Sequence, residues 1–188
     1  MKKIQLLVLL LLPVLYFQAC KKDAITSAST ASDKILSANI NGVAWNPDSV
    51  SASVLYNTTS KIKTFNVIGT VNSKRIIFNL SIFNSINTNN FPLATYKVDS
   101  TTKVKMNYYI PQLNNGSYVY TQVGVVEPGS GFATITAIDT VKNVITGNFS
   151  FTAKKVNYNP DGSYRSIEIS QILSGSFTKL PYLFNNNN

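Results

Sequence analysis

The sequence predicts an all-β domain of about ten antiparallel strands. Beyond residue 34, apolar and polar residues alternate with period two through most of the chain, as they do in half-buried strands. Turn dipeptides such as Asn41-Gly42 separate these segments, and no segment combines helical spacing with capping residues. Short strands joined by local turns form either an antiparallel β-sandwich or a flattened up-and-down, lipocalin-like barrel, and the pattern is compatible with both.

Ahead of the strands, residues 1–19 have the features of a lipoprotein signal peptide. A basic start precedes an apolar run over residues 4–16 that is too short to span a bilayer. The run ends at Ala19-Cys20, where a small residue directly before the only cysteine resembles a lipobox. We expect Cys20 to carry the lipid that anchors the protein in a membrane. Residues 20–34 contain many small and hydroxyl residues and are expected to form a flexible tether.

Two hairpins can be aligned across their turns, Asn41-Gly42 and Asn72-Ser73. Pairing the flanking residues places apolar side chains opposite one another on one face and polar side chains on the other. The predicted apolar pairs are Ile40 with Val43, Ala38 with Trp45, Phe65 with Leu80, Val67 with Phe78, and Gly69 with Ile76. On this alignment Trp45 belongs to the core, which we favour over a role as a sugar-stacking platform.

A third hairpin turns over residues 159–162, where Pro160 and Gly162 suit a three-residue loop with a bulge. Its predicted register pairs Ala153 with Ile169, Phe149 with Leu173, and Ile145 with Phe177, and leaves Gln171 opposite Phe151 as a mismatch. Gly147 and Gly175 interrupt this long outer pair and predict bending. Shorter strands are expected over residues 50–56, 94–98, 103–110, 118–123 and 131–138. The strands form a single domain over 35–184, followed by a disordered tail over 185–188.

Composition argues against most catalysis. The 188 residues include 17 Lys and Arg, 8 Asp and Glu, and no His, so nucleophile–imidazole pairs and His-ligated metals are excluded. Glu127 lies in a turn and Glu168 on a polar strand face, so neither is expected to act in glycoside hydrolysis. We expect a non-enzymatic protein with no cofactor and no metal. An accessory glycan hydrolase or a small-ligand-binding barrel is the alternative.

The net charge of +9 does not predict nucleic-acid binding, because the Lys and Arg residues are dispersed in pairs near strand ends. A more specific candidate is a group of tyrosines and asparagines around a predicted loop over residues 111–116. The candidate binding residues are Tyr109, Asn114, Asn115, Tyr118 and Tyr120. The alternative is that these tyrosines merely complete strands.

Several motifs occur in an order that is similar to that of uncharacterised Bacteroidota lipoproteins. They are the Asn-Gly-x-x-Trp hairpin ending at Trp45, the Gly-x-Phe-x-Phe strand at 147–151, and the closing Gly-Ser-Phe at 175–177. The resemblance implies a lipid-anchored β domain at the outer membrane, on its periplasmic or surface-exposed face. It implies no established activity and no catalytic residues. On such a protein the plausible partners are the membrane, through the lipid, and a glycan or another envelope protein.

Three sequences, Asp48-Ser49-Val50, Asp99-Ser100-Thr101 and Asp139-Thr140-Val141, also resemble the Asp-Ser/Thr-apolar acceptor pattern for protein O-glycosylation in Bacteroidota, with Thr101 in place of an apolar third residue. Their acceptors would be Ser49, Ser100 and Thr140. Ordinary turn chemistry is the alternative, because Asp followed by Ser or Thr commonly starts a loop.

Overall fold

A computed structural model describes residues 34–101 and 103–187, and the all-β prediction is confirmed over these residues. They form twelve strands and no helix. The strands are β1 (Leu36–Ile40), β2 (Val43–Trp45), β3 (Ser49–Asn57), β4 (Ile62–Val71), β5 (Lys74–Ile82), β6 (Thr95–Lys97), β7 (Val104–Asn114), β8 (Ser117–Gln122), β9 (Gly131–Asp139), β10 (Val144–Tyr158), β11 (Tyr164–Pro181) and β12 (Leu183–Asn187). The predicted signal peptide, Cys20 and the greater part of the tether lie outside the described residues.

The strands form a sandwich of two six-stranded sheets. The first sheet has the order β2, β1, β11, β10, β9, β6, and the second has the order β12, β3, β4, β5, β7, β8. Neither described sheet closes on itself, so the sandwich alternative is correct and the barrel alternative is wrong. All neighbouring strands are antiparallel except β12 and β3. The long β10–β11 pair, expected at the outside, lies in the middle of the first sheet.

The first two hairpins have the predicted registers. Ala38 lies opposite Trp45, and Phe65, Val67 and Gly69 lie opposite Leu80, Phe78 and Ile76. Asn41 and Gly42 both have positive φ, as the two-residue turn requires. Val43 pairs with Ile40 as expected but is exposed, because β2 is a three-residue edge strand.

The third hairpin forms, but its predicted register is wrong. Near the turn Tyr158 lies opposite Tyr164, and three bulges then each shift the pairing by one residue. Ala153 therefore pairs with Ser170 rather than Ile169, and Phe149 with Gly175 rather than Leu173.

Two of these bulges contain a residue with positive φ, Ser174 and Lys179. Positive φ is uncommon in residues other than glycine, asparagine and aspartate, so the sequence did not indicate these bulges. The corrected register places Ile172 opposite Phe151, which removes the mismatch with Gln171. It also explains why Ile145 pairs with Leu180 rather than Phe177.

Phenylalanine rings fill the space between the sheets. Phe78 of the second sheet contacts Phe149 and Phe177 of the first, with ring centroids 5.0 and 5.9 Å apart. Phe65 lies 6.0 Å from Phe177, and all four side chains are fully buried. Tilted ring pairs at these distances add to the free energy that burial of the rings supplies.

The Gly-x-Phe-x-Phe and Gly-Ser-Phe motifs pack against each other. Gly147 lies opposite Phe177 and Gly175 lies opposite Phe149, so each glycine faces a ring of the neighbouring strand. A Cβ atom on Gly175 would lie 2.7 Å from Cδ1 of Phe149. The glycines therefore provide room for the rings.

The segment over residues 83–94 closes one end of the sandwich. Phe91 is fully buried and contacts Phe65. Lys63, on the inward face of β4, is only 2% exposed and donates hydrogen bonds from Nζ to Thr88 Oγ1 and the Asn90 carbonyl. Burial lowers the pKa of Lys63 from its ordinary value. Lys63 is one of the cations that the sequence places in pairs near strand ends, and its hydrogen bonds tie the closing segment to the core.

The C-terminus differs from the disordered tail expected over 185–188. Asn185, Asn186 and Asn187 continue β12 and lie opposite Leu55, Tyr56 and Asn57 of β3. The parallel pairing satisfies backbone groups that a run of asparagines would otherwise expose to water.

Candidate functional site

The β7–β8 hairpin brings the candidate tyrosines to one face. Tyr120 lies opposite Pro111 and Tyr118 lies opposite Leu113. Tyr109 has the same phase in β7, while its neighbour Tyr108 is buried in the core. Because side chains alternate along a strand, Tyr109, Tyr118 and Tyr120 all point outward from the second sheet. We call these three residues the tyrosine face.

The tyrosine face is exposed and carries one arginine. Tyr118 is 75% exposed and Tyr120 is 37% exposed. The guanidinium carbon of Arg75 lies 3.7 Å from the centroid of the Tyr120 ring, a cation–π contact. Arg75 also donates from Nε to Thr70 Oγ1 at 3.2 Å, which holds the guanidinium beside the ring. From the sequence, Arg75 was only one of the cations near strand ends. Its place beside the tyrosines depends on the pairing of β5 with β7, which puts Arg75 opposite Tyr109 and which the sequence alone does not reveal.

The expected loop over residues 111–116 is almost entirely strand. β7 continues to Asn114, β8 begins at Ser117, and only Asn115 and Gly116 form the turn, both with positive φ. Asn-Gly strongly favours such a turn, so the local signal was present. Asn114 and Asn115 are exposed, but Asn114 has the opposite phase to the tyrosines. The structure thus unites the three tyrosines and separates Asn114 from them.

Trp45 is a core residue, as predicted. It is 2% exposed, and its ring packs over Gly69, where an added Cβ would lie 2.6 Å from Cη2. Its Nε1 is buried without a hydrogen-bond partner in the described structure.

Comparison with protein families identifies the domain. The family described as Domain of unknown function (DUF6252) matches residues 32–181, which include β1 to β11. The chain belongs to this family. The tyrosine face and the phenylalanine core both lie within the DUF6252 domain. No curated protein and no solved structure matches the chain.

Both glutamates of the DUF6252 domain have partners of their own. Glu127 Oε1 lies 3.5 Å from Nζ of Lys154, and Glu168 Oε1 accepts a 2.8 Å hydrogen bond from Asn157 Nδ2. Within residues 34–101 and 103–187, no group of three or more acidic, Cys or His side chains could hold a metal ion.

Four surface clefts of the DUF6252 domain have volumes of about 280, 460, 360 and 380 Å³. Their carboxylates are Asp139, Asp99, Glu168 and Asp48 respectively, one in each cleft. The second cleft also contains Tyr96, whose pKa is raised to about 12 by burial.

The candidate O-glycosylation residues differ in accessibility. Ser49 and Ser100 are exposed, whereas Thr140 is half-buried and its carbonyl accepts a hydrogen bond from Asn89. Asp99 accepts hydrogen bonds from the hydroxyl and amide of Thr101, which lower the pKa of its carboxyl. Turn chemistry is therefore present at Asp99 whether or not Ser100 is modified.

The lipidation candidate Cys20 lies outside the described residues. Within the described part of the chain, no helix has the length and apolar character needed to cross a bilayer.

Proposed function

We propose that this DUF6252 protein is a lipid-anchored envelope protein whose sandwich is a non-enzymatic module that binds glycans at the tyrosine face. The observation that carries the glycan proposal is the exposed row of Tyr118 and Tyr120 beside the fixed guanidinium of Arg75. The N-terminal sequence ending at Ala19-Cys20 carries the anchoring part.

The chemistry of the tyrosine face suits a carbohydrate. Aromatic rings offer flat apolar surfaces on which the C–H face of a sugar ring can pack, while their hydroxyl groups remain available for hydrogen bonds. Arg75 supplies a planar set of donors that suits a carboxylate or a sulfate group. Without residues 1–19, which hold two lysines and no acidic residue, the chain has 15 Lys and Arg against 8 Asp and Glu, and this net charge of +7 adds a general attraction for anions. An acidic glycan is therefore the ligand class that the face fits best.

Binding is favoured over glycoside hydrolysis by the placement of the carboxylates. Hydrolysis by the usual route needs two carboxyl groups about 5–10 Å apart across the scissile bond. Each of the four clefts described above contains one carboxylate, and none of the tyrosine-face residues is acidic.

Thermal unfolding of a fragment over residues 24–188 tests the glycan proposal, because every described strand lies inside that fragment. A panel of neutral and acidic glycans is added at increasing concentrations. A ligand at 100 times its dissociation constant adds ~2.7 kcal/mol of stability, which raises Tm by several degrees. We expect a saturable rise with acidic glycans.

Two variants localise the binding. Tyr118→Ala should abolish the rise, whereas Tyr158→Ala, which removes a similarly exposed tyrosine from the β10–β11 hairpin, should leave it intact. Absence of a shift with every glycan would contradict the proposal, as would equal loss of binding in both variants.

The anchoring part is tested separately in cells. Replacement Cys20→Ala in the full chain should move the protein from the membrane fraction to the soluble fraction and abolish lipid labelling. Unchanged fractionation with unchanged labelling would refute the anchor.

A further inference from the structure

The β10–β11 hairpin extends beyond the strands that flank it in the first sheet. On one side β1 ends at Ile40, opposite Ile172 of β11. On the other side Val125 forms an isolated bridge to Lys154 of β10. Among the described residues, 164–170 therefore pair only with 153–158 of β10, and we call residues 155–158 and 164–170 the projecting arm.

Hydrogen-bond alternation determines which backbone groups of the arm face outward. The amide of Asn41 donates to the Gln171 carbonyl, so the backbone groups of Gln171 point away from β10. Residues two and four positions earlier, Ile169 and Ile167, have the same orientation because residues 166–172 pair without a bulge. On the opposite side of the hairpin, Lys154 directs its backbone groups toward Val125, which agrees with this assignment. The N–H and C=O groups of Ile167 and Ile169 thus face a sheet edge on which no strand of residues 34–101 or 103–187 pairs with them.

The side chains along this edge are apolar and exposed. Ile167 is 44% exposed and Ile169 is 57% exposed, and Val156 lies opposite Ile167 on the same outer face. Soluble proteins usually protect such an edge with charged side chains, above all lysine, with proline or by making it very short. Residues 166–170 contain neither lysine nor proline, and their one charged side chain, Glu168, accepts a hydrogen bond from Asn157 of the paired strand. The edge strands β2 and β6, by contrast, have three residues each.

We propose that this edge pairs antiparallel with the same edge of a second copy of the chain. The first sheet of one copy and the first sheet of the other then form one continuous sheet. A two-fold axis through Ile167 makes the edge complementary to itself, because outward-facing donors of each copy meet outward-facing acceptors of the other. On the outer face Ile167 then packs against Ile167 of the second copy, beside Val156.

The charges of the edge disfavour a shift of the axis toward Glu168. With the axis at Ile167, Glu168 of each copy lies opposite Ser166 of the other. With the axis moved by one residue, to Glu168, the two carboxylates would lie directly opposite each other, which is unfavourable. A further shift toward Gln171 is blocked, because Asn41 already occupies the backbone groups of that residue. Arg165 and Glu168 also leave the edge with no net charge, whereas the whole chain carries +9.

The contact is short, so the dimer is weak. Pairing of a few residues buries less surface than the ~1,200 Å² of a standard stable interface, and we expect dissociation in about the micromolar to sub-millimolar range. Sedimentation equilibrium of the 24–188 fragment from about 1 µM to 1 mM should show a mass that rises toward twice the monomer value. The variant Ile167→Lys should remain monomeric over the same range. Leu113→Lys, which adds the same charge at an exposed residue of the β7–β8 hairpin, should dimerise like the unchanged fragment.

Disulfide trapping tests the register. The fragment has no cysteine, so Ile167→Cys can crosslink only to its own copy. Directly paired residues across a hydrogen-bonded site lie ~5.5 Å apart at Cα, within the span of a disulfide. We expect crosslinking at least tenfold faster than in Val141→Cys, a fully accessible control on the β9–β10 turn.

Three outcomes would overturn the proposal: a monomer at every concentration, equal dimerisation of Ile167→Lys and the unchanged fragment, or equal crosslinking of the two cysteine variants. If circular dichroism shows that Ile167→Lys does not fold, Ile169→Lys on the same edge replaces it. None of these results depends on glycan binding, so the dimer and the glycan proposal can fail independently.

Discussion

Gly175→Ala tests the packing of the motif glycines against the phenylalanine rings. Gly175 lies opposite Phe149 in the central strand pair of the first sheet. A Cβ at this position would lie 2.6 Å from the Phe149 carbonyl oxygen and 2.7 Å from both Cδ atoms of its ring. The ring can shift only into a core that Phe78 already fills, and the carbonyl belongs to the sheet itself.

Two opposing effects determine the size of the loss. Overpacking of a well-filled core costs ~1–3 kcal/mol, and contact with a backbone atom places this site at the upper end. Alanine recovers up to ~1 kcal/mol, because it restricts the unfolded chain more than glycine does. The net loss is therefore ~2 kcal/mol, which lowers Tm by roughly 4–8 °C in a domain of this size.

Urea unfolding followed by circular dichroism measures this loss, with Thr178→Ala as the control. Thr178 is exposed in the same strand, so its replacement should change the unfolding free energy by less than ~0.5 kcal/mol. In a Phe149→Leu background, Gly175→Ala should cost ~1 kcal/mol less, because the ring contacts are gone while the carbonyl contact remains. A loss below ~0.5 kcal/mol in the unchanged background would refute the reasoning.

Three further predictions concern the closing segment, the half-buried Tyr96 and the C-terminal strand. Relative to Lys63→Met, the unchanged protein should gain unfolding free energy as pH rises toward 10.5. Burial lowers the pKa of Lys63 in the folded protein, so the unfolded chain binds that proton more tightly. If urea titrations from pH 7 to 10.5 show a constant difference between the two proteins, this prediction is wrong. Above pH 10 the free energy of unfolding should fall by up to ~3 kcal/mol on account of Tyr96. Burial raises the pKa of Tyr96 to about 12 in the folded protein, so in this pH range the unfolded chain loses the proton while the folded protein keeps it. The variant Tyr96→Phe should remove this part of the pH dependence. Removal of residues 183–188 should cost ~2 kcal/mol, since it deletes the partly buried Phe184 and the pairing with β3, whereas an unchanged Tm would indicate a frayed tail.

Local rules were sufficient wherever a turn was regular. Two-residue turns at Asn41-Gly42 and Asn72-Ser73 determine the pairing of the strands on either side, so both registers could be derived from the sequence. The third hairpin shows the limit of this reasoning. Its turn was recognised, but three bulges, one beside Tyr158 and two accompanied by positive φ at Ser174 and Lys179, shift the register through contacts that no local pattern records. The mismatch of Gln171 with Phe151 was the one sign of the error.

The candidate site was predictable only in part. The sequence grouped Tyr109, Tyr118 and Tyr120 around one predicted loop, whereas their common phase follows from the two-residue turn at Asn115-Gly116, which pairs β7 with β8. Arg75 comes from β5, more than thirty residues earlier in the chain, and reaches Tyr120 only because β5 pairs with β7. Such non-local pairing depends on the packing of whole sheets, which a local pattern does not encode.

By itself the sequence determined the class of the domain, its regular two-residue turns, the phase of the strands beside those turns and the place of Trp45 in the core, since alternation and turn preferences act over neighbouring residues. Only the tertiary structure decided between sandwich and barrel, the order of the strands, the burial of Lys63 and the open edge at Ile167. These features depend on which strands become neighbours, and that choice is made by the fit of the two apolar faces over the whole domain rather than by any one segment.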